Sequence, residues 1–178
     1  MHKILFLIPA ILGCCLSQTW AQDKQYPVID TFGGIYDVSE ATVRPDSKLK
    51  YKVVIDLYSG PESPDQMNPA LNNVARMINL HAIGGATQKM DVVLAIHGNA
   101  NDAVLSNEHY LARHQVPNPN INLIKSLKAA GVKLAVCGQS LLHSNVDAVE
   151  VLEEVEIATS MLTTVTTYQL KGYAFLAF

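Results

Sequence analysis

The sequence predicts a single-domain α/β fold of three layers, with helices on both faces of a parallel β-sheet. Short apolar runs of strand type alternate with segments whose apolar residues recur at helical spacing, and this alternation is typical of a parallel sheet. Residues 91–97 are almost entirely apolar, as expected for a strand that is covered on both faces. When an N-terminal segment is set aside, about 157 residues remain, which is enough for one domain with its own core.

The N-terminal 21 residues have the layout of a secretory signal peptide. A basic start is followed by an apolar stretch over residues 4–16 and by small residues three and one positions before a cut after Ala21. We therefore expect an exported product, periplasmic or secreted. The apolar stretch is shorter than the ~20 residues of a membrane-spanning helix, and no later segment reaches that length. A lipoprotein acylated at Cys14 or Cys15 is the alternative, although Leu12 is large where that signal has a small residue.

Charge and cysteine content narrow the possible functions. The net charge is −3, and removal of residues 1–21 takes away Lys3 and no acidic residue, which leaves −4. Because nucleic-acid-binding proteins neutralise phosphates with a basic surface, we expect no nucleic-acid partner. The same cleavage removes Cys14 and Cys15, so that Cys137 is the one cysteine of the mature chain and no intrachain disulfide can form.

The first half of the chain predicts an arm, a strand and a helix. Residues 22–50 are polar and rich in turn residues, so we expect an N-terminal arm that lies over the domain. Residues 51–57, where the domain begins, are a β-rich run that ends in a loop. Asn68 then supplies a helix cap and Pro69 the first helical residue. Apolar residues at helical spacing continue until Gly84 ends the helix.

The second half repeats this cycle up to the C-terminus at residue 178. After the strand over residues 91–97, a helical turn is predicted near residues 102–107. Asn118 and Pro119 repeat the cap-and-proline pair and open a helix that Gly131 ends. A third strand follows directly. The remaining elements are a short strand, a helix whose four threonines weakly favour β structure, and a final apolar strand: residues 155–158, 161–168 and 173–178.

The carboxyl ends of the strands are where an open parallel sheet gathers its reactive groups. Cys137 directly follows the third strand and precedes a helical turn predicted at residues 140–143. The free N–H groups of a helix N-terminus there would favour the thiolate, the form of cysteine that attacks or carries sulfur. The alternative is a small buried residue that is chemically inert.

His97 and the loop over residues 59–62 fall at the same edge of the predicted sheet. His97 is a candidate to hold a substrate or to act as an acid or base, and the alternative is a hydrogen-bonded histidine at a strand end. The loop is interpreted as a turn, because it lacks the glycine spacing and the lysine of a phosphate cradle. We expect neither a metal nor a cofactor. The other four histidines of the mature chain show no metal-ligand spacing: His81, His109, His114 and His143. His109 and His114 flank a polar loop, and we expect them to be solvated.

The order and spacing of these pieces resemble the DsrE/DsrF-like family, and they are most similar to its exported branch. The resemblance covers nearly the whole mature chain and rests on a series of short motifs: Gly33-Gly34, Tyr51-Lys-Val-Val, Asn68-Pro69, His97-Gly98, Asn118-Pro119-Asn120, Gly131-Val132, Cys137-Gly-Gln-Ser-Leu141 and Leu170-Lys-Gly-Tyr-Ala174. It implies a five-stranded parallel sheet between helices and assembly as a homotrimer or homohexamer. The apolar C-terminal run with Phe175, Leu176 and Phe178 also predicts a homo-oligomer, since a lone domain would need to bury or pair it.

The resemblance also implies a role for Cys137. In the cytoplasmic sulfur-relay members, a cysteine after the third strand accepts a sulfur atom as a persulfide and passes it on, and Cys137 occupies the matching position. Two features depart from those members: their arginine-rich stretch is here Leu142-His143-Ser144-Asn145, and this chain is predicted to be exported.

Two functions therefore remain open. The first is a sulfur- or thiol-handling protein, a carrier rather than a turnover enzyme, with Cys137 as a persulfide or mixed-disulfide carrier and His97 as its neighbour. Its sulfur donor and acceptor are not identified by the sequence. The second is a non-catalytic homo-oligomer that binds a small ligand and in which Cys137 is buried and inert.

Overall fold

The computed structural model describes residues 23–86 and 90–178, and its centre is one parallel sheet. The strand order is β4-β3-β2-β1-β5, and every neighbouring pair is parallel. The strands are β1 Lys52–Leu57, β2 Asp91–Ile96, β3 Lys133–Cys137, β4 Glu156–Ala158 and β5 Ala174–Ala177. The predicted three-layer α/β fold with a five-stranded parallel sheet is confirmed. The predicted signal peptide lies outside the described residues.

Five α-helices and two short 3₁₀ helices connect the strands within the described residues. The α-helices are α1 Pro69–Ile83, α2 Asn107–His114, α3 Ile121–Ala129, α4 Gly138–His143 and α5 Met161–Leu170, and the 3₁₀ helices are Gly98–Val104 and Ala148–Glu150. Across residues 23–86 and 90–178, none of these helices combines the length and the apolar character that a membrane span requires.

Helix α1 begins as its sequence predicts. The Asn68 side chain accepts hydrogen bonds from the backbone N–H groups of Ala70 and Leu71, which would otherwise lack partners at the first turn. Pro69 is the first helical residue and Gly84 follows the last one. The polar cap and the apolar residues at helical spacing indicate the same helix, and its predicted start and end are confirmed to within a residue.

Helix α3 begins two residues later than the cap-and-proline pair predicts. Its cap residue is Asn120, and Pro119 precedes the helix instead of opening it. The reason lies in the side chain of Asn118, which donates to the backbone carbonyls of Ala103 and Leu105 and accepts from the N–H of Asn120. Because Asn118 ties this turn to the preceding 3₁₀ segment, the helix starts only after it.

Helix α2 was not predicted, and the expectation of solvated histidines in this region is wrong. His114 lies 2.8 Å from the carboxylate of Asp102, and His109 lies 2.7 Å from the hydroxyl of Ser106. The described helix buries only Tyr110. A helix with one buried position has no apolar period, so the sequence shows no helical pattern there.

Apolar residues of the strands alternate between the two faces of the sheet. Val53, Ile55 and Leu57 of β1 pack in a large core with α1 and α3, and the equivalent positions of β2 and β3 join them. The opposite face carries a small cluster in which α5 covers β1 and β2: Val54, Val93, Ala95 and Val165. The first face is therefore a deep core, and the second, the α5 face, is a thin one.

The N-terminal arm is fastened to α1 by one buried side chain. The carbonyl oxygen of Asn79 accepts from the backbone N–H groups of Val28 and Ile29, at 3.0 and 2.9 Å. Its amide nitrogen donates to the carbonyls of Ile29, Phe32 and Gly33. Asn79 thus uses both ends of its side chain to replace backbone partners that an irregular segment cannot supply for itself.

Candidate functional site

The carboxyl ends of β1, β2 and β3 lie side by side, and each is followed by a polar or reactive residue. Leu57 pairs with Ile96, and Ile96 pairs with Val136, so the three strands end at the same level. Asp56, His97 and Cys137 alternate with these core residues and therefore belong to the α5 face. The structure brings the two predicted site residues, His97 and Cys137, to neighbouring strand ends.

The thiol of Cys137 lies where two helices begin. Cys137 is the last residue of β3 and the cap residue of α4, and 5% of its surface is exposed. Its hydrogen-bond partners include the backbone N–H of Met161, the first residue of α5, and the hydroxyl of the α5 cap residue Ser160. Ser140 of α4 is a further partner, through its hydroxyl and its backbone.

These contacts decide the ionisation of the thiol. Burial is the largest single influence on the pKa of Cys137 and raises it, because a thiolate is poorly solvated inside the protein. The hydrogen bonds from Ser140, Met161 and Ser160 act in the opposite direction and together outweigh burial. The pKa of Cys137 is consequently lowered, and its thiolate is favoured over that of a free cysteine.

A glycine after the cysteine allows β4 to approach. A Cβ atom on Gly138 would lie 2.8 Å from the carbonyl oxygen of Ala158, the last residue of β4. That distance is shorter than any real contact of this kind, so a side chain at residue 138 would push β4 away. The segment that follows β4 carries Ser160 and Met161, and Gly138 therefore helps to place the hydrogen-bond donors of the thiol.

His97 is held by a carboxylate at the end of β1. Its Nε2 atom lies 2.5 Å from Oδ1 of Asp56, and its ring lies 5.2 Å from the ring of Tyr58. Tyr58 packs on Gly98, whose φ of 57° and close approach to that ring both exclude a side chain. Among the described residues, the groups that shift the pKa of Cys137 do not include His97. The site thus contains an oriented imidazole beside the cysteine strand, whereas the thiol takes its hydrogen bonds from serines and backbone.

The remaining histidines have separate positions. His81 lies within α1, where its Nδ1 is 2.8 Å from the carbonyl of Met77. His143 is exposed at the end of α4. The loop over residues 59–62 borders a small cavity that His114 also lines. No group of three metal-ligating side chains occurs within residues 23–86 and 90–178.

Three residues of this region escaped the sequence prediction. Ser140 lies three residues after Cys137 in the predicted turn, and that spacing was a usable signal for a side chain near the thiol. Ser160 reaches the thiol from the next crossover, and nothing in the local sequence indicates this. Asn101, buried in the 3₁₀ helix Gly98–Val104, has no sequence signal either.

Comparison with known proteins agrees with this architecture. The model of the DsrE/DsrF-like family matches residues 52–178. The solved structure of a protein of unknown function from Methanobacterium thermoautotrophicum, MTH1491, is similar with a TM-score of 0.51 at 18% identity, over 72% of this chain and 99% of that one. The ychN protein from E. coli gives 0.49 at 20% identity, over 72% of this chain and 99% of its own. No curated protein matches the chain in sequence.

Proposed function

Because the chain belongs to the DsrE/DsrF-like family, we propose that it is an exported sulfur- or thiol-handling protein in which Cys137 carries sulfur as a persulfide or mixed disulfide. The observation that carries the proposal is the environment of Cys137, whose pKa is lowered by hydrogen bonds from two helix starts despite its burial. A thiolate is the form of cysteine that attacks sulfur.

The loading step needs a small persulfide, R–S–SH, as co-reactant. The thiolate of Cys137 attacks the terminal sulfur, a new S–S bond forms at Cys137, and the S–S bond of the donor breaks. R–S⁻ leaves and takes up the proton that Cys137 released on ionisation, so the products are the Cys137 persulfide and R–SH. His97 is our candidate for moving that proton, since Asp56 orients its ring next to the strand that ends at Cys137.

A second candidate function is supported by the burial of Cys137. With 5% of its surface exposed, the residue also suits a homo-oligomeric protein that binds a small ligand and keeps an inert cysteine. The two functions differ in one measurable property, which is the reactivity of the thiol in the native protein.

The pH dependence of Cys137 alkylation separates these functions. We expect an apparent pKa below the ~8.5 of a free cysteine. Ser140→Ala should raise this pKa because it removes a hydrogen bond to the thiolate, and Ser144→Ala, at the other end of α4, should leave it unchanged. A parent pKa of 8.5 or higher, or reaction only after unfolding, would support the inert cysteine instead.

Intact mass spectrometry tests the sulfur load itself. Protein from its native compartment should carry an adduct of ~32 Da, one sulfur atom, and Cys137→Ser should lack it. His97→Ala should slow loading from a small persulfide, whereas His81→Ala, within α1, should not. Equal loading rates in the two histidine variants would remove His97 from the mechanism while leaving the cysteine in it.

Export and self-association complete the proposal. Export is supported by the N-terminal pattern, and a mature N-terminus at Gln22 is the expected outcome of N-terminal sequencing. Self-association as a homotrimer or homohexamer is supported by apolar side chains that stay exposed on the α5 face, among them Leu162, Leu170 and Phe175.

A further inference from the structure

A cleft of about 380 Å³ opens at the carboxyl edge of the sheet, between the 3₁₀ helix after β2 and helix α4. Its side chains are polar, and most of them cannot ionise in the neutral range. They include Tyr58, Asn99, Asn101, Gln139, Ser140 and the imidazole of His143. The described lining contains no aspartate, glutamate, lysine or arginine. A ligand would therefore be recognised by hydrogen bonds and not by charge.

Asn101 is the buried member of this lining, and it is unpaired. Only 3% of its surface is exposed, and neither Oδ1 nor Nδ2 has a hydrogen-bond partner among the described residues. The other buried asparagines of the described chain all use their side chains in hydrogen bonds: Asn68, Asn79, Asn118 and Asn120. Since buried polar groups in folded proteins are nearly always paired, Asn101 requires a partner from outside the chain.

The chemistry of the carboxamide defines that partner. Asn101 offers a donor and an acceptor side by side, and an extended peptide residue returns both, because its own N–H and C=O point to the same side of the backbone. We propose that the cleft binds a small neutral peptide-like molecule, such as the backbone of a peptidic thiol, and that Asn101 pairs with the N–H and C=O of one of its residues. Tyr58 and His143 border the cleft as exposed side chains.

The cleft also connects with the cysteine. Ser140 lines the cleft, and its hydroxyl is a hydrogen-bond partner of the Cys137 thiol. Ser140 therefore links the cleft to the thiol that would take up the sulfur of a peptidic ligand. The identification of this ligand as the sulfur donor rests on the proposed function, whereas the binding of the amide does not.

A thioether probe measures binding without chemistry. N-acetyl-S-methylcysteine methylamide is neutral, carries two amide groups and cannot react with Cys137. The methyl ester of methylthiopropanoic acid, a neutral thioether without amide groups, is its counterpart. We would titrate the whole mature protein with each compound and measure binding by calorimetry or NMR. The methylamide should bind saturably and at least tenfold more tightly than the amide-free compound. Equal affinities, or no saturable binding of the methylamide, would overturn the proposal.

Two variants test Asn101 itself. Asn101→Leu removes both hydrogen-bonding atoms at similar volume, and we expect a loss of affinity of about tenfold or more, with an unchanged or raised Tm because an unpaired buried polar group disappears. Asn122→Leu, at an exposed position of α3, should change neither property. A lowered Tm with unchanged affinity in Asn101→Leu would mean that a trapped water satisfies the amide, and the proposal would be wrong.

Probe binding and sulfur loading, measured on the same protein, distinguish this inference from the proposed function. If the probe binds through Asn101 while Cys137 never acquires sulfur, the cleft remains a ligand site and the carrier role fails. If Cys137 acquires sulfur from inorganic polysulfide while the probe does not bind, the carrier role remains and the cleft proposal fails.

Discussion

The two faces of the central sheet are covered in different ways. The α1 and α3 face is a continuous core in which the apolar strand residues and the inward-facing apolar residues of both helices are buried. On the α5 face, Val54 of β1 and Val93 and Ala95 of β2 are buried, but Val165 is the one described residue of α5 that is buried with them. Leu162 of that helix is 67% exposed, and Phe175 of the edge strand β5 is 45% exposed.

This difference separates the part of the molecule that makes the fold from the part that is available for function. The α1 and α3 face supplies most of the apolar burial that drives folding. The α5 face holds Cys137, His97 and Asp56 at its carboxyl edge and leaves apolar side chains exposed. The proposed sulfur chemistry and the proposed self-association both concern this face.

The largest expected effect compares one leucine from each face. Leu71→Ala in α1 should lower the free energy of unfolding by about 3 kcal/mol, because it leaves a cavity in a fully buried region. Leu162→Ala in α5 should lower it by less than about 0.5 kcal/mol, since that side chain is mostly exposed. Urea titrations at a protein concentration at which the chain is monomeric measure both values. Similar costs for the two variants would contradict the contrast between the faces.

Self-association gives the next effect. Phe175→Asp places a charge on the exposed edge strand and should convert the proposed homo-oligomer to monomers, because a buried unpaired charge opposes association. Light scattering coupled to size-exclusion chromatography measures the mass. Val43→Asp, at an exposed position of the N-terminal arm, is the matched control and should leave the assembly intact. A parent that is monomeric at micromolar concentration would refute the assembly proposal.

The contrast also explains what the sequence could predict. Strands β1, β2 and β3 and helix α1 follow from patterning, because buried apolar residues recur there with the period of the element. Helix α5 was predicted despite its threonines, since Met161, Val165 and Tyr168 still mark one side of it. Helix α2 was missed because Tyr110 is its one buried residue and supplies no period.

The candidate site was predictable only in part, for a related reason. Cys137 follows an apolar strand, so its place at the carboxyl edge is a local property of the sequence. Ser160 and Met161 contact the thiol only because β4 pairs with β3, and strand order is not a local property. The unpaired state of Asn101 is likewise invisible in sequence, because it depends on the absence of partners among residues that are distant in the chain.

The smallest expected effect concerns a polar contact at the amino end of the α5 face. The hydroxyl of Tyr173, which directly precedes β5, donates to the carboxylate of Asp91, the first residue of β2, at 2.5 Å. This bond is the main reason why the pKa of Asp91 is lowered, ahead of the opposing effect of burial and the attraction of Lys133. Burial and the same carboxylate raise the pKa of Tyr173 to about 12, so its hydroxyl keeps its proton throughout the neutral range.

The sign of the pH dependence follows from the lowered pKa of Asp91. A carboxyl group with a depressed pKa stabilises the fold above its unfolded pKa of ~3.9, and this contribution is lost as the pH falls through the folded pKa. Tyr173→Phe should therefore cost less than about 1 kcal/mol at pH 7, because the pair is partly exposed, and the difference from the parent should shrink below pH ~4. Tyr168→Phe removes a hydroxyl from the ring that packs against Tyr173 and should show no such pH-dependent difference. Urea unfolding at several pH values measures both variants, and a constant cost for Tyr173→Phe from pH 7 down to pH 2.5 would mean that the contribution of the hydroxyl does not depend on the charge of Asp91.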